Sequence, residues 1–329
     1  MKILFWGTPE FAVTSLRALD DEGFDICGVV SQPDRPAGRG RRLSPSPVKE
    51  LSLEQGFPLL TPERPRGDDF LAEIRELDPD LSVVVAYGHI LKPEVLEVPR
   101  MGSINVHSSL LPELRGAAPV NWAIIRGYEE TGVTIMRMVE AMDAGAILHR
   151  VREPILPDET ASELSIRLSE VGAAALVEAL TLLSAGVVDE VEQDHSAATF
   201  APKIDRETAH IDWTAPADEV ARLIRGMDAV PGAWSTLKGA SVKIFRPTAV
   251  PDAAEPPEGP DPAGNGGPPP TGDSAAPGTV ISTDPAEGVL VATGEGSVLL
   301  GEVQPPGKRR MSAADWINGR GVELGQRFE

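Results

Sequence analysis

The chain has 329 residues, enough for two domains of ordinary size, each with its own core. Its 30 basic and 50 acidic residues give a net charge of −20, which favours solubility and excludes a general affinity for polyanions. A single cysteine, Cys27, excludes a disulfide framework, and the chain shows neither a basic start with an apolar leader nor an unbroken apolar run of about 18 residues, so a cytoplasmic protein without a membrane partner is expected.

Residues 2–6 form a short apolar strand that ends at Gly7-Thr8-Pro9. Phe11, Leu16 and Leu19 then recur at helical spacing up to Gly23, and 25–31 supplies a second strand. Strand, glycine-containing turn, helix, strand opens a doubly wound α/β domain with a mostly parallel sheet. The Gly7 turn lacks the G-x-G-x-x-G pattern and is read as a tight turn, not a dinucleotide site. Residues 32–49 differ in kind. Pro33, Pro36, Pro45 and Pro47 bar regular structure, Gly38 and Gly40 add flexibility, and Arg35, Arg39, Arg41 and Arg42 crowd together. Composition leaves two readings level: a solvated loop, or a mobile arm for phosphates, whose geometry suits the planar guanidinium.

A helix ending near Gly56, a short strand at 58–60 and a helix over 68–77 follow. Residues 81–86 are nearly unbroken apolar, as a buried parallel strand requires, and end at Tyr87-Gly88-His89. Ligands of open α/β sheets bind at that carboxyl edge, which makes Tyr87 and Gly88 candidate ligand contacts. The next strand, 103–107, ends at the same edge. Asn105 and His107 are two apart in it, so both side chains leave one face. It stops at Ser108-Ser109 and a Leu110-Leu111-Pro112 turn. After a helix at 118–126, strands at 133–139 and 146–151 flank a loop in which Asp143 offers a carboxylate, and a helix at 161–186 closes the domain.

An amide, an imidazole and a carboxylate brought together suit acyl transfer to an amine. The amide and a protonated imidazole can donate to the oxyanion, while the carboxylate orients the ring and relays a proton. Taken alone, an Asn-x-His pair on a strand is more often structural, and Asp143 beside Gly145 is an ordinary turn residue. His89, His149, His195 and His210 have no comparable context, and no His/Cys set has metal-ligand spacing, so no metal is expected.

Residues 191–206 read as a linker between a first domain at 1–190 and a second at 207–329. The second holds a helix over 217–227 and short strands at 233–237, 241–245, 278–282, 288–292 and 297–303, which suggests a small OB-like β-barrel. A Pro/Gly/Ala-rich tract at 251–277, with five acids and no base, interrupts it and is expected to be disordered. Lys308, Arg309 and Arg310 precede a final helix starting near Ser312. Three adjacent bases are a solvated patch or, on such a barrel, a grip on a nucleic-acid backbone.

The stretch INVHSSLLPELRGAAPVNWAIIRGYEETGVTIMRM at 104–138, with the Asp143 loop after it, resembles the folate-dependent formyltransferases. Four further blocks narrow the resemblance to the members that act on methionyl-tRNA: QPDRPAGRGRRLSPSPVK at 32–49, VVVAYGHIL at 83–91, IDW at 211–213 and PPGKRRMSAADWINGR at 305–320. The resemblance covers nearly the whole chain apart from the acidic tract. The resemblance implies a Rossmann-like catalytic domain and a tRNA-binding OB-like domain. It also implies transfer of the formyl group of 10-formyltetrahydrofolate, as co-substrate, to the methionine α-amino group of initiator methionyl-tRNA, for translation initiation. No residue speaks to the oligomeric state, and a monomer is the expectation. On matching positions, Asn105, His107 and Asp143 become the catalytic trio, and Ser109, Leu110, Leu111 and Pro112 line the folate site. Arg39, with Arg41 and Arg42 beside it, falls on a loop arginine that enters the acceptor-stem groove, and Lys308, Arg309 and Arg310 lie on the domain that meets the inside of the tRNA. The chain departs from the pattern in its acidic tract, which leaves the tRNA-facing charge open, and at Ser108, where glycine is common.

Overall fold

The computed structural model describes residues 1–37, 42–251 and 275–329. Two compact units emerge: unit 1 comprises Met1–Val120, Glu129–Ile155 and Glu163–Pro202, and unit 2 comprises Asn121–Tyr128, Leu156–Ser162 and Lys203–Glu329. The first stretch of chain runs β1 (Lys2–Gly7), α1 (Glu10–Asp21), β2 (Asp25–Val30), β3 (Arg35–Ala37), β4 (Arg42–Ser44), α2 (Pro47–Gln55), β5 (Leu59–Leu60), α3 (Asp68–Glu76), β6 (Leu81–Val85) and α4 (Pro93–Leu96). It continues with β7 (Ser103–His107), β8 (Arg115–Gly116), α5 (Pro119–Ile125), β9 (Glu130–Arg137), β10 (Ile147–Pro154), α6 (Ala161–Ser184) and β11 (Phe200–Ala201).

Unit 1 is built on a seven-stranded sheet in the order β10-β9-β7-β6-β1-β2-β5. The strands from β5 to β7 are parallel, whereas β9 runs antiparallel to both β7 and β10. The central strands are apolar along their whole length because both faces are covered: Ile3, Leu4, Phe5 and Trp6 of β1 and Leu81, Val83 and Val85 of β6 are fully buried. The Trp6 indole N–H donates to Ser82 Oγ at 3.0 Å, which satisfies a polar atom that this packing takes from water. The chain order reverses between β1 and β6, and there Thr8 Oγ1 and Gln32 Nε2 both donate to the Tyr87 carbonyl, at 3.0 and 2.7 Å.

Two expectations change in unit 1. The proline-rich stretch at 32–49 carries regular structure: β3 and β4 pair as an antiparallel ribbon, and α2 begins at Pro47. Pro36 sits in a two-stranded ribbon, where its missing N–H can face away from the partner, and Pro47 occupies the first turn, where no helix N–H is bonded anyway. Ser46 caps that helix by accepting from the Lys49 N–H at 3.1 Å. Residues 38–41, including Arg39 and Arg41, lie outside the described residues. The expected linker at 191–206 is woven into unit 1 as far as Pro202. Val191 and Ile147 exchange both backbone hydrogen bonds at 2.8 and 2.9 Å, and β11 pairs in parallel with β8. One bridge and one two-residue strand have no periodicity, so the sequence carries no trace of them.

Unit 2 contains α7 (Ala217–Gly226), β12 (Trp234–Leu237), β13 (Ala240–Val250), β14 (Val280–Asp284), β15 (Gly288–Ala292), β16 (Ser297–Gln304), β17 (Met311–Ser312) and α8 (Ala313–Asn318). An antiparallel sheet runs β12-β13-β16-β15-β14, with β17 added to β16, over a core that includes Trp213, Ile224, Ile244, Leu300, Trp316 and Phe328. The strand ladder is open, so the described residues form an antiparallel sheet and no closed barrel of strands. The last residues of the chain reach both of its ends: the Glu329 N–H donates to the Thr236 carbonyl at 2.8 Å and the Phe328 N–H to the Gly278 carbonyl at 2.9 Å. The expected disordered tract falls between β13 and β14, and its residues 252–274 lie outside the described residues. Among the described residues, no helix is long and apolar enough to cross a membrane.

Candidate active site

β7 lies between β6 and β9, with Asn105 level with Val84 on one side and Met136 on the other, and His107 level with Thr134. Val106 points to α6, where a Cβ built on Gly172 would stand 3.2 Å from Val106 Cγ1. By alternation Asn105 and His107 occupy the opposite face, as the spacing requires. Because β9 is antiparallel to β7, the chain leaves β9 at the amino end of β7, where the Met138 N–H donates to the Ser103 carbonyl at 2.8 Å. The following loop must fold back across the sheet face to bring Asp143 to His107. Only His107 therefore sits at the carboxyl edge, and the trio is gathered over the face of β7. Glycine is required where the loop returns, since a Cβ on Gly145 would lie 2.0 Å from the Arg137 carbonyl oxygen.

The His107 ring is buried, at 5 % exposure, and its Nε2 lies 3.0 Å from the Leu114 carbonyl oxygen. A carbonyl can only accept, so Nε2 carries the hydrogen and Nδ1 is the basic nitrogen of the neutral ring. Nδ1 faces Asp143 Oδ2 at 3.8 Å, too far for a direct hydrogen bond. Two backbone positions aim these groups: Leu114 at φ 57° turns its carbonyl to the ring, and Asp143 adopts φ 51°. Asp143 Oδ2 accepts from the Gly116 N–H at 2.8 Å. Asn105 is half-buried, and its amide has no hydrogen-bond partner among the described residues.

The turn at 109–112 is held from β9 and β10. Thr134 Oγ1 donates to the Ser109 carbonyl at 2.7 Å and accepts from the Leu111 N–H at 3.2 Å, and Arg150 donates to the Leu111 carbonyl at 3.0 Å. Ser109 and Leu111 are fully buried, so side-chain contact from this turn is left to the half-buried Leu110 and Pro112. Tyr87 serves the core: its ring meets Trp6 edge-on at 5.3 Å, and burial pushes the phenol up to about 12. Gly88 is exposed, at φ 85°. Among the basic candidates, Lys308 and Arg309 are exposed in the turn after β16. Arg310 is engaged within unit 2, pairing with Asp228 at 2.9 Å and with Glu302, and its guanidinium lies 4.0 Å over the Phe245 ring. For Arg42 the backbone alone is described.

Two polar side chains beside the trio escape sequence reasoning. Gln193 and Arg115 are each 6 % exposed. Gln193 Nε2 donates to the carbonyls of Asp143 and Gly145 at 2.9 and 2.7 Å, while its Oε1 accepts from Arg115 Nε and Nη2 at 3.2 and 2.6 Å. Arg115 stands inside the 104–138 block, which marks the stretch but gives no role to that residue. Gln193 stands in a stretch without periodicity and carried no signal.

Residues 1–180 match the family described as formyl transferase, and residues 203–321 match its C-terminal domain. A methionyl-tRNA formyltransferase of Symbiobacterium thermophilum is 46 % identical over 328 residues, covering 100 % of this chain and 95 % of the relative. One of Bacillus subtilis is 42 % identical over 327 residues, covering 98 % and 96 %. Among solved structures, HypX of Aquifex aeolicus in complex with tetrahydrofolic acid is similar in fold, with a TM-score of 0.63 at 19 % identity over 98 % of this chain and 48 % of that one.

Proposed function

The chain belongs to the formyl transferase family, in its methionyl-tRNA formyltransferase branch, and on that premise we propose that it transfers the formyl group of 10-formyltetrahydrofolate to the methionine α-amino group of initiator tRNA. The setting is cytoplasmic translation initiation. One observation carries the reading: an amide, a buried imidazole and a carboxylate converge on one sheet face in a chain that aligns end to end with such enzymes.

An α-amino group has an ordinary pKa of about 7.7–8.0, so part of it is neutral near pH 7. Its lone pair attacks the formyl carbon, and the carbonyl electrons move to oxygen. The Asn105 amide donates to that oxyanion. His107 takes the ammonium proton on Nδ1, since Nε2 already carries a hydrogen toward Leu114. Asp143 then closes its 3.8 Å gap on the imidazolium, as catalytic hydrogen bonds that are long in the free enzyme tighten in the complex. Collapse re-forms the formyl C=O and breaks the bond to N10 of the folate. N10 takes the proton from His107, which leaves tetrahydrofolate and formylated methionine. Asn105 is thereby the oxyanion donor and His107 the proton carrier.

The folate suits unit 1: Leu110 and Pro112 flank the site, and Ile90, Val139 and Met142 are exposed apolar side chains on the loops after β6 and β9, fit for a flat heterocycle. Contact with tRNA is assigned to Arg39, Arg41 and Arg42 and to Lys308 and Arg309, with Arg310 shaping the turn that carries the last two. The sheet of unit 2, its two ends bridged by the last residues, serves as an OB-like RNA-binding platform, and the enzyme acts as a monomer. Incubation with 10-formyltetrahydrofolate and charged initiator tRNA is expected to yield formyl-methionyl-tRNA, with little product from charged elongator tRNA. Absence of formyl-methionine, or preferred formylation of an amino-sugar nucleotide, overturns the assignment.

A further inference from the structure

We propose that Gln193, held by Arg115, is a positioning residue that fixes Asp143 against His107, an inference that rests on the role given to Asp143 above. The orientation of its amide admits one assignment. Nε2 faces the carbonyls of Asp143 and Gly145, which only accept, and Oε1 faces the Arg115 guanidinium, which only donates. The two carbonyls flank Ala144, so one side chain grips the loop where it turns back over the sheet. The Asp143 backbone is in the left-handed region, at φ 51°, a conformation that needs such a restraint.

Arg115 reaches Asp143 by a second route. Its chain neighbour Gly116 donates its N–H to Asp143 Oδ2 at 2.8 Å, so the carboxylate is held from one side and the backbone carbonyl from the other. Arg115 is fixed in turn by β8 pairing with β11 and by an Nη2 contact to His195 Nδ1 at 3.0 Å. None of these groups hydrogen-bonds to Asn105 or to the His107 ring. All of them converge on the one catalytic group that lies off the strands, on a loop that crosses the sheet. A misplacement of about 1 Å at such a group costs up to about a hundredfold in rate.

The test is a double-mutant cycle between Gln193 and Asp143, read as single-turnover transfer from 10-formyltetrahydrofolate to charged initiator tRNA, with KM values and melting temperature measured alongside. Gln193→Met keeps the volume and removes the four hydrogen bonds to Arg115 and to the two loop carbonyls. Gln193→Glu keeps the acceptor for Arg115 and removes the donors, and it carries the cycle should the methionine variant fail to fold. Each is expected to slow transfer by about tenfold or more with both KM values within about twofold of wild type. Added to Asp143→Asn, the same change is expected to cost less than about twofold, because no carboxylate remains to be positioned. Equal reductions in both backgrounds, or a raised KM at unchanged kcat, overturn the inference and leave the proposed function standing. Wild-type transfer by Asp143→Asn instead overturns the role of Asp143 itself.

Discussion

His107 has two ring nitrogens but only one is available for chemistry, because the Leu114 carbonyl occupies the other. In the proposed mechanism that single hydrogen bond separates the roles of Asn105 and His107, which residue types alone leave interchangeable. It also separates their expected phenotypes. The Asn105 amide has no partner among the described residues, so Asn105→Ala should lower kcat by about a hundredfold or more while melting temperature stays near wild type. Asp143→Ala should abolish turnover with the fold retained. Steady-state kinetics beside thermal melts will check both, and near-normal turnover in either variant removes that residue from the mechanism. That Asn105 and His107 share one face of β7 was legible in their spacing. The tautomer was not, since the carbonyl that decides it lies seven residues away and reaches the ring only because Leu114 takes a positive φ.

Among the elements, β9 and the loop after it decide the site. An antiparallel β9 sends the chain off at the amino end of β7, and the return over the sheet depends on the close approach of Gly145 to the Arg137 backbone. Gly145→Ala would place a Cβ 2.0 Å from a carbonyl oxygen that cannot swing aside as a side-chain end can. We expect it to destabilise unit 1 by about 1–3 kcal/mol, measured by denaturant unfolding, and to lower kcat by shifting Asp143. Full activity with unchanged stability contradicts this account of the loop. The strands flanking the site were visible as apolar runs, and β7 as an alternating pair of polar side chains. The direction of β9 was hidden, because a buried strand reads the same whichever way it runs. So was the fate of 191–202, whose pairings are too short to leave a period.

At the scale of the whole molecule, a chain of net charge −20 has to meet an anionic partner through local basic clusters. Lys308 and Arg309 are exposed, whereas the charge of Arg310 is neutralised by Asp228 and Glu302. Replacing Lys308 or Arg309 by Ala should therefore flatten the dependence of log tRNA affinity on log salt by about 1 for each phosphate that the side chain neutralises. Arg310→Ala should mainly destabilise unit 2, and an unchanged salt slope in both exposed-residue variants moves the RNA-binding role elsewhere. Acid should act on stability as well. The Lys2 backbone N–H and then Arg100 hold the Asp80 carboxyl below the ordinary aspartate range, and hydrogen bonds within turns do the same for Asp194, Asp205 and Asp212. A carboxyl depressed in the folded state stabilises above its unfolded value of about 3.9 and gives up that contribution as pH falls through the folded one. Unfolding midpoints are expected to hold steady near neutrality and to drop below about pH 4. For Asp80→Asn the drop should be smaller, and an equal drop removes Asp80 from the effect.

By itself the sequence determined the α/β unit and its strands, the run of short strands that follows and the family, because local periodicity, turn chemistry and motif spacing are written in neighbouring residues. Tertiary structure alone decided that β9 turns against its neighbours, that Asp143 crosses the face of β7, that His107 presents Nδ1, and that Gln193 and Arg115 brace the loop. Each of these depends on residues far apart in the chain meeting one another, and no local pattern encodes which distant backbone carbonyl a buried side chain will reach.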